Sequence, residues 1–513
     1  MPIDVYPRLE SLRPLLSSIP HLVHSNQTPL DEETRRIHEA LDAVEEDEAA
    51  LNERIHDLEL TLGALYQKRQ GFKTAAHELR AVISPVRRLP AEIISFILEL
   101  AVHAAIPLRS RDVCEVKQGP WPLAQVSRFF RATVLANTGL WANIYIPDFS
   151  YQNRKPESFS TLLSTYLSRS SNRPLHVFMQ ITSESILPAL EPILAQSHRW
   201  ASATILTPPS RDIDNVSFFS RLRGKLPMLR QLEIEGPAGD SVLLDLKPFC
   251  IAPKLTKLRI RSIEPTPRSA QFPYHQIQEM GMEVSVYKRL RNSGGLEACS
   301  NLRTLEIVDG LHSYVTALPQ TPSEPVVCLP KLQSLYLDKW SARLIADMQL
   351  PNLVEIRFRI ETVREDNFAK VMRKRLGSVK VLRLRGALFR GSGIAEMIRA
   401  VPSVQVLDLA DETSSTIVGA SELVNSFLSQ LTQPATSRML VPNLKAFRLR
   451  TTLESDPQVF AALLEARKGR LRDVDMPIAE EKMTRDALRR IACLHQEGLV
   501  CRYRNSTGSW SWW

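Results

Sequence analysis

The chain has 513 residues, which is too long for one ordinary domain and suggests about three. Hydrophobic residues make up 44% and charged residues 24%, the average mix of a folded globular protein, and this mix excludes wholesale disorder. The net charge of +9 is modest for this length. No stretch has the apolar length of a membrane span, and the first residues lack the pattern of a signal peptide. We therefore expect an intracellular protein, cytoplasmic and/or nuclear, without a membrane partner.

The first predicted element is a long helix that follows a flexible N-terminal segment, residues 1–27. Thr28-Pro29-Leu30-Asp31 combines a hydroxyl N-cap, an early proline and an acid, so the helical domain is assigned to 28–84. Its seam positions advance by alternating steps of four and three residues: Ile37, Leu41, Val44, Glu48, Leu51, Ile55, Leu58, Leu62, Leu65, Arg69, Phe72, Ala76, Leu79 and Ile83. This spacing predicts a coiled-coil helix.

The function of this helix stays open at the sequence level. The apolar seam favours self-association or docking onto a partner helix, whereas the charged seam positions Glu48 and Arg69 weaken a stable dimer. The alternatives are that the helix folds back on the chain or holds the next domain at a distance. Pro85 ends the helix because Ser84 before it is displaced from α-helical geometry.

The next predicted domain, residues 85–146, is a set of short amphipathic helices. Leu89-Pro90 precedes a wide apolar stripe, and a second helical pattern from Leu123 to Leu135 is followed by Trp141. A unit of about sixty residues buries too little of its own surface, so we expect an apolar face that needs a partner.

These residues resemble the F-box family. Leu89, Pro90, Glu92, Ile93, Ile97 and Leu98 match the first part of its motif, Leu123, Val126 and Arg131 the second, and Leu140-Trp141 its end. Ser127 and Phe130 depart from it, standing where the family usually has cysteine and often tryptophan. A long helix leading into such a box is similar to F-box families of mushroom-forming fungi. The alternative is a plain helical connector.

The resemblance implies a three-helix domain that binds a Skp-type adaptor and through it a cullin. The residues expected to contact the adaptor are Leu89, Pro90, Ile93, Ile94, Ile97, Leu98, Val126 and Phe130.

Beyond residue 199 a degenerate repeat, L-x-x-L-x-L after a small residue or proline, recurs to residue 503. Nine copies begin at residues 226, 252, 299, 329, 350, 376, 401, 441 and 469. Most distances between corresponding positions of successive copies fit the length of a leucine-rich repeat. Two longer distances, of 47 and 40 residues, indicate insertions or a missed repeat. The predicted α/β architecture is an irregular leucine-rich-repeat solenoid. The alternative is an α/β sheet of another topology. Residues 147–198 are a connecting region that is a candidate for the first irregular repeats. The segments 174–181 and 200–208 are candidate early strands that would extend the array towards residue 160. Residues 504–513 are a tryptophan-rich tail that caps the array or lies exposed.

Four arginines carry the predicted substrate site. Residues between the inward leucines of each strand face away from the core, which places Arg357, Arg359, Arg383 and Arg385 on adjacent strands, beside Tyr336. They favour an acidic or phosphorylated protein segment. The alternative is that Asp338 and Asp408 in the flanking strands neutralise them.

No catalytic, metal or cofactor motif is present, so we expect a protein that is not an enzyme and uses no cofactor. The favoured hypothesis is the substrate-recognition subunit of a Skp-cullin-F-box type ubiquitin ligase. A second hypothesis is a coiled-coil and leucine-rich-repeat scaffold that no longer engages a ligase. Nucleic-acid binding is disfavoured because arginines alternate with acids.

Overall fold

The computed structural model describes residues 14, 17–24, 26–105, 119–146, 156–181, 188–207, 220–236, 242–244, 246–265, 272–309, 327–360, 366–390, 393–412, 419–433, 440–453, 455–476, 484–496, 498–504 and 510–512. The chain divides into two compact units, Met1–Ile94 and Ser95–Trp513. Of the predicted flexible segment 1–27, residues 1–13, 15–16 and 25 lie outside the described residues.

The first unit is dominated by one helix of 52 residues. A helical turn, α1 (Pro20–Val23), precedes the long helix α2 (Asp31–Val82). The helix begins later than Thr28 predicts, because Leu30 is its N-cap and donates its backbone N–H to Glu33 Oε2 at 2.9 Å. It ends shortly before Pro85, as predicted, and none of its residues is buried.

Short helices precede the sheet. A 3-10 turn (Pro85–Arg88) leads through Leu89-Pro90 to helix α3 (Ala91–Ala105), and α4 (Pro120–Leu123) and α5 (Arg128–Ala136) follow. A second 3-10 turn (Thr138–Trp141) closes this part. The helix α3 begins directly after Pro90, a position where the ring's lack of an N–H costs no helical hydrogen bond. Within the described residues, no helix combines the length and apolarity needed to cross a bilayer.

The second unit is organised by one large sheet. Its strands, in chain order and together with the strands of two small two-stranded sheets, are β1 (Asn143–Ile146), β2 (Leu175–Gln180), β3 (Trp200–Leu206), β4 (Gln231–Glu235), β5 (Val242–Leu244), β6 (Lys257–Arg261), β7 (Ile263–Pro265), β8 (Glu279–Glu283), β9 (Thr304–Val308), β10 (Val327–Cys328), β11 (Ser334–Leu337), β12 (Met348–Gln349), β13 (Glu355–Ile360), β14 (Val381–Gly386), β15 (Val406–Asp411), β16 (Ala446–Arg450), β17 (Asp473–Met476), β18 (Val500–Arg504) and β19 (Trp510–Trp512).

The strands of the large sheet lie side by side in chain order. They run β1-β2-β3-β4-β6-β8-β9-β11-β13-β14-β15-β16-β17-β18-β19, while β5 pairs with β7 and β10 with β12. All neighbours in the large sheet are parallel except the last pair, because β19 returns antiparallel to β18. Sequential parallel strands, each pairing mainly with its neighbours in the chain, are the arrangement of a stacked repeat array. The structure thus agrees with the predicted α/β repeat architecture.

Helices connect many of the strands. In chain order they are α6 (Pro156–Arg169), α7 (Glu191–Ala195), α8 (Val284–Asn292), α9 (Asp366–Arg375), α10 (Ile394–Arg399), α11 (Ala420–Thr432), α12 (Pro457–Ala466) and α13 (Arg485–Gln496). Three of them, α10, α11 and α12, connect β14 to β15, β15 to β16 and β16 to β17. Each buries an apolar stripe, as Ile398, Phe427 and Phe460 show.

The nine sequence repeats all become strands of the large sheet. Their alternate apolar residues are buried, as in Ile356, Leu382 and Leu407, whose Cα positions pair across β13, β14 and β15. The interval of 47 residues between two copies contains one more repeat strand, β8, in which Met280 and Met282 occupy the inward positions of the leucines. The interval of 40 residues contains helix α11 instead. The array also begins earlier than residue 199, because β1 and β2 belong to the same sheet.

The end of the helical part and the start of the array share one core. Trp141 is fully buried, its ring meets Trp121 edge-on at 5.2 Å and Tyr166 at 5.1 Å, and Arg169 stacks on both tryptophans. Only one residue separates Trp141 from β1 at Asn143. The predicted border at residue 146 therefore falls at the end of a sheet strand, without a linker before it.

Candidate functional site

Helix α3 carries apolar residues on two opposite sides. Ile94 and Leu98, one helical turn apart, are 1% and 3% exposed and belong to the core. Phe96, Ile97 and Leu100 point the other way and are 58%, 44% and 53% exposed. We call these three residues the box stripe. A contiguous stripe of large apolar side chains in water marks an interaction surface more often than chance exposure does.

The turn after α5 holds helix α3 in place. The Asn137 side chain donates from Nδ2 to Ser95 Oγ at 2.5 Å, and its Oδ1 accepts the backbone N–H of Gly139 at 2.9 Å. Asn137 is itself buried, so these hydrogen bonds satisfy polar groups that would otherwise be costly to desolvate. They fix the position of α3 from Ser95 onwards, and with it the direction in which the box stripe faces.

The structure separates the predicted adaptor residues into surface and core. Pro90, Ile93, Ile97 and Val126 are exposed. Leu89 and Phe130 are half-buried. Ile94 and Leu98, which were also predicted to contact an adaptor, are covered by the chain's own packing and leave almost no surface for a partner.

Some exposed apolar residues were not predicted. Phe96 and Leu100 extend the stripe of Ile97, and Phe129 and Leu135 are exposed on α5. The sequence contained the signal for both residues, since Leu100 lies three residues after Ile97 and Phe96 lies three residues after Ile93, and positions three or four residues apart share a side of the helix. The family motif matches Leu98 and not Phe96 or Leu100. A motif records residue types and does not distinguish exposed positions from buried ones.

Ser127 has a local structural role that suits it better than cysteine. It is the N-cap of α5, and its Oγ accepts the backbone N–H of Phe130 at 3.1 Å. Serine is among the best N-cap residues. The departure from the family motif at this position is thus compatible with a stable second helix.

The outer face of the sheet brings the predicted arginines together. Arg357 pairs in register with Arg383, and Arg359 with Arg385, across the parallel strands β13 and β14. Tyr336 lies beside Arg357 in the same row. We call the four arginines the arginine quartet. Its alignment is the one predicted from the alternation of inward and outward residues.

Carboxylates flank every member of the arginine quartet. The closest contacts are Arg357 and Arg383 to Glu355 Oε1, at 2.8 and 2.9 Å, and Arg385 to Glu412 Oε1 at 2.7 Å. Arg359 lies 3.7 Å from Glu412 Oε2. The two predicted acids are farther away: Asp338 is 4.0 Å from Arg359 and Asp408 is 3.9 Å from Arg383. Internal neutralisation is therefore present, and Glu355 and Glu412 provide most of it.

Asp338, Asp408 and Glu355 are recessed below the arginines, whereas Glu412 is about as exposed as Arg359. Asp408 is almost fully buried and accepts two hydrogen bonds from Arg450 Nη2 at 2.9 Å, whereas the Arg385 and Arg450 side chains are 67% and 57% exposed. A guanidinium has five N–H donors, and one ion pair leaves several of them free to face solvent. A ligand that approaches this face meets guanidinium groups first.

An open groove of about 660 Å³ runs along these strands. Its lining includes Tyr336, Arg383, Arg385, Glu412 and Arg450. Partial burial, followed by the nearby Asp338 carboxylate, raises the pKa of the Tyr336 phenol, which is therefore neutral at physiological pH. The groove thus offers cationic forks and one neutral hydroxyl, an inventory suited to carboxylate or phosphate groups of a protein segment.

A second charge cluster on the same face depends on a glycine. Arg259 on β6 donates from Nη2 to Glu306 on β9 at 3.0 Å, passing over β8 between them. The β8 residue in this row is Gly281, and a Cβ there would approach Arg259 Cγ to 3.0 Å. The absence of a side chain at Gly281 therefore lets the arginine span two strand spacings.

Comparisons with known proteins place the chain only at the level of similar solved structures. No protein-family model matches it, and the search of curated proteins gives no match. A chain of the TLR13–ssRNA13 complex is 11% identical with a TM-score of 0.33, over 66% of this chain and 45% of that one, so this chain matches less than half of its length. The leucine-rich repeat-containing protein LegL7 from Legionella pneumophila is 11% identical with a TM-score of 0.32, over 72% of this chain and 92% of LegL7.

The yeast complex of Rad7 and Elc1 contributes a third similar chain, 12% identical with a TM-score of 0.25, over 84% of this chain and 96% of that one. Similarity this low adds no weight to a functional assignment. The fold described above rests on the strand order and register of this chain. Among the residues that the structure describes, no cluster of three or more histidine, cysteine or acidic side chains has the arrangement of a metal site.

Proposed function

We propose that this protein is the substrate-recognition subunit of a Skp-cullin-F-box type ubiquitin ligase. In this proposal residues 85–146 bind a Skp-type adaptor, the sheet face binds a protein substrate, and catalysis lies in other subunits. The observation that carries the proposal is the box stripe, Phe96, Ile97 and Leu100, exposed on a helix that begins directly after Leu89-Pro90.

Helix α3 has one packed side and one side that faces solvent. The core side of α3 already buries Ile94 and Leu98, so the box stripe is not needed to hold the fold together. Three large apolar side chains in one stripe are the usual anchors of a helix-mediated protein interface. Their burial by a partner removes each from water, which is worth about 1.5 to 3 kcal/mol per fully buried side chain.

Adaptor binding tests the proposal through the box stripe. We expect the wild-type chain to bind a purified Skp-type adaptor, and Ile97→Glu/Leu100→Glu to weaken this binding at least about a hundredfold, because the change buries two unpaired carboxylates in an apolar contact. The dissociation constant is measured by calorimetry. Ile251→Glu, which alters an exposed aliphatic residue in the array, is the matched control and keeps wild-type affinity. Absence of wild-type binding, or unchanged binding by the double variant, contradicts the proposal.

For the substrate, we propose a protein segment carrying acidic or phosphorylated side chains that binds the groove beside the arginine quartet. Arg385 and Arg450 are its most exposed arginines. Internal ion pairs hold their guanidinium groups in position, so little side-chain entropy is lost on binding. The ion-paired acids reduce the net charge of the site, which favours recognition by geometry over attraction to any polyanion.

A peptide array tests the substrate proposal. Wild-type protein is expected to bind peptides with acidic or phosphoserine residues in preference to neutral peptides of the same length. Arg385→Glu/Arg450→Glu is expected to lower this signal about tenfold or more, because two charge-assisted contacts become repulsive. The control Arg223→Glu/Arg303→Glu makes the same charge change at exposed arginines outside the groove and leaves the signal unchanged. Equal binding of neutral peptides by wild type argues against the proposal.

The second candidate, a scaffold without ligase partners, is supported by the exposure of helix α2, which has no buried residue over its 52 residues. The two candidates differ in the adaptor experiment. A chain that associates through α2 but does not bind the adaptor is a scaffold.

A further inference from the structure

We propose that helix α2 pairs with the α2 helix of a second copy of this chain, in antiparallel orientation and centred on residue 60. The proposal concerns the first unit alone and does not rest on ubiquitin-ligase function. It follows from three properties of the seam: its exposure, its symmetry and its charge.

The seam is apolar and uncovered over most of its length. Its residues Leu41, Ile55, Leu58, Leu62, Leu65, Phe72, Leu79 and Ile83 are each at least half exposed. Ile37, Val44 and Leu51 are partly covered. At a rise of 1.5 Å per residue, residues 37 to 83 extend about 70 Å. A stripe of this length and composition is stable in water only when another helix covers it.

The seam is symmetric about residue 60. In an antiparallel pair centred there, Ile37 of one copy lies opposite Ile83 of the other, Leu41 opposite Leu79, and Leu58 opposite Leu62. Antiparallel coiled coils pair the first core position of one heptad with the second core position of the other helix. In this alignment every layer from residue 37 to 83 makes that pairing, so the whole seam is buried without overhang. Two identical helices related by a two-fold axis form such a closed interface.

The charged seam residues select this orientation over the parallel one. In a parallel pair Glu48 meets Glu48 and Arg69 meets Arg69, and each like-charge contact inside the seam is destabilising. In the antiparallel pair Glu48 lies one layer from Arg69 of the second copy, on both sides of the two-fold axis. The Arg69 guanidinium is stacked over the Tyr66 ring at 4.9 Å from its centroid, which keeps it beside the seam.

The charge along the rest of the helix has the same consequence. Residues 31–53 contain ten acidic and two basic residues, a net charge of −8, and residues 54–82 contain five basic and three acidic residues, a net charge of +2. A parallel pair places the two strongly acidic halves together. An antiparallel pair places each acidic half against a basic half, which lowers the repulsion.

Charge exchange between Glu48 and Arg69 tests orientation as well as association. The full chain is analysed by sedimentation equilibrium as wild type, Glu48→Arg, Arg69→Glu and the double variant Glu48→Arg/Arg69→Glu. We expect a wild-type dimer, an increase of about tenfold in the dimer dissociation constant for each single variant, and recovery to within about threefold of wild type in the double variant. A parallel pair only exchanges one like-charge contact for another, so its affinity changes little in any variant.

The matched control is Glu53→Arg. It makes the same charge change as Glu48→Arg on the outer side of the helix, and it is expected to leave the dissociation constant within about threefold of wild type. A wild-type chain that stays monomeric up to about 100 µM overturns the proposal. Single variants that dimerise as tightly as the control also overturn it, because the contact then uses another surface or the parallel orientation. Each outcome is independent of whether the adaptor binds.

Discussion

Replacing Arg467 with alanine is expected to destabilise the C-terminal repeats by about 3 to 5 kcal/mol. Arg467 is fully buried at the C-terminal end of helix α12, and its guanidinium donates to the backbone oxygens of Leu431 at 3.1 Å, Val441 at 2.8 Å and Leu440 at 2.5 Å. These carbonyls lie at the end of α11 and in the turn before β16. One side chain therefore joins the connections of two successive repeats.

The size of the effect comes from the groups left behind. Burial lowers the pKa of Arg467 to about 10, so the guanidinium remains charged at neutral pH. Its removal leaves three carbonyls without these donors and opens a cavity, and each unsatisfied buried group costs about 1 to 3 kcal/mol. Stability in repeat arrays is a sum of local terms, so the loss is expected mainly in residues 420–476.

Urea unfolding and native-state hydrogen exchange measure this prediction. Arg467→Ala lowers the unfolding midpoint and speeds exchange of amides in α11, α12 and β16. The control Arg470→Ala removes an exposed arginine three residues away and is expected to change the stability by less than about 0.5 kcal/mol. If both variants unfold at the wild-type midpoint, the guanidinium contacts contribute no net stability.

Gly386→Ala is expected to cost at least about 3 kcal/mol and to disturb the groove beside the arginine quartet. Gly386 ends β14 with φ +130°, a conformation that residues with a side chain rarely adopt. A Cβ at this position would lie 1.8 Å from the carbonyl oxygen of Ile360 on β13. Because the obstacle is backbone, the clash is relieved only by separating the two strands.

The groove is affected because Gly386 also positions an acid. Its carbonyl accepts the backbone N–H of Glu412 at 2.7 Å, and Glu412 is the partner of Arg385. Gly377→Ala is the control, since a Cβ there meets nothing within 4 Å. Thermal unfolding and peptide-array binding are measured for both. Equal midpoints for the two variants contradict the strain argument.

The repeat strands were predictable because leucine spacing reports them directly. Every L-x-x-L-x-L segment became a strand, and alternation placed Arg357 opposite Arg383. Strand β8 was not predicted because Met280 and Met282 occupy its inward positions. Methionine packs as well as leucine in an irregular core, yet it does not match a leucine pattern.

The position of the arginine quartet was predictable from the sequence, but the identity of its main ion-pair partners was not. Glu355 has the same parity as the arginines of β13, and Glu412, one residue past the end of β15, has the same parity as the outward residues Asp408 and Ala410. Extending the alternation by one step in each direction therefore finds both acids. Their role as the main ion-pair partners depends on side-chain reach across strands, which spacing does not encode. Likewise, Ile94 and Ile97 are both aliphatic residues of one helix, and only the packing of α3 decides which of them faces water.

The core formed by Trp121, Trp141, Tyr166 and Arg169 has a mechanical consequence. The chain passes from the turn at Trp141 into β1 with one residue between them, and the cation stacked on both indoles joins helix α6 to the same core. No hinge separates residues 119–141 from the first strands. A partner bound to residues 119–141 and a partner bound to the first strands would thus be held at a fixed angle to each other, set by this packing and not by a flexible tether.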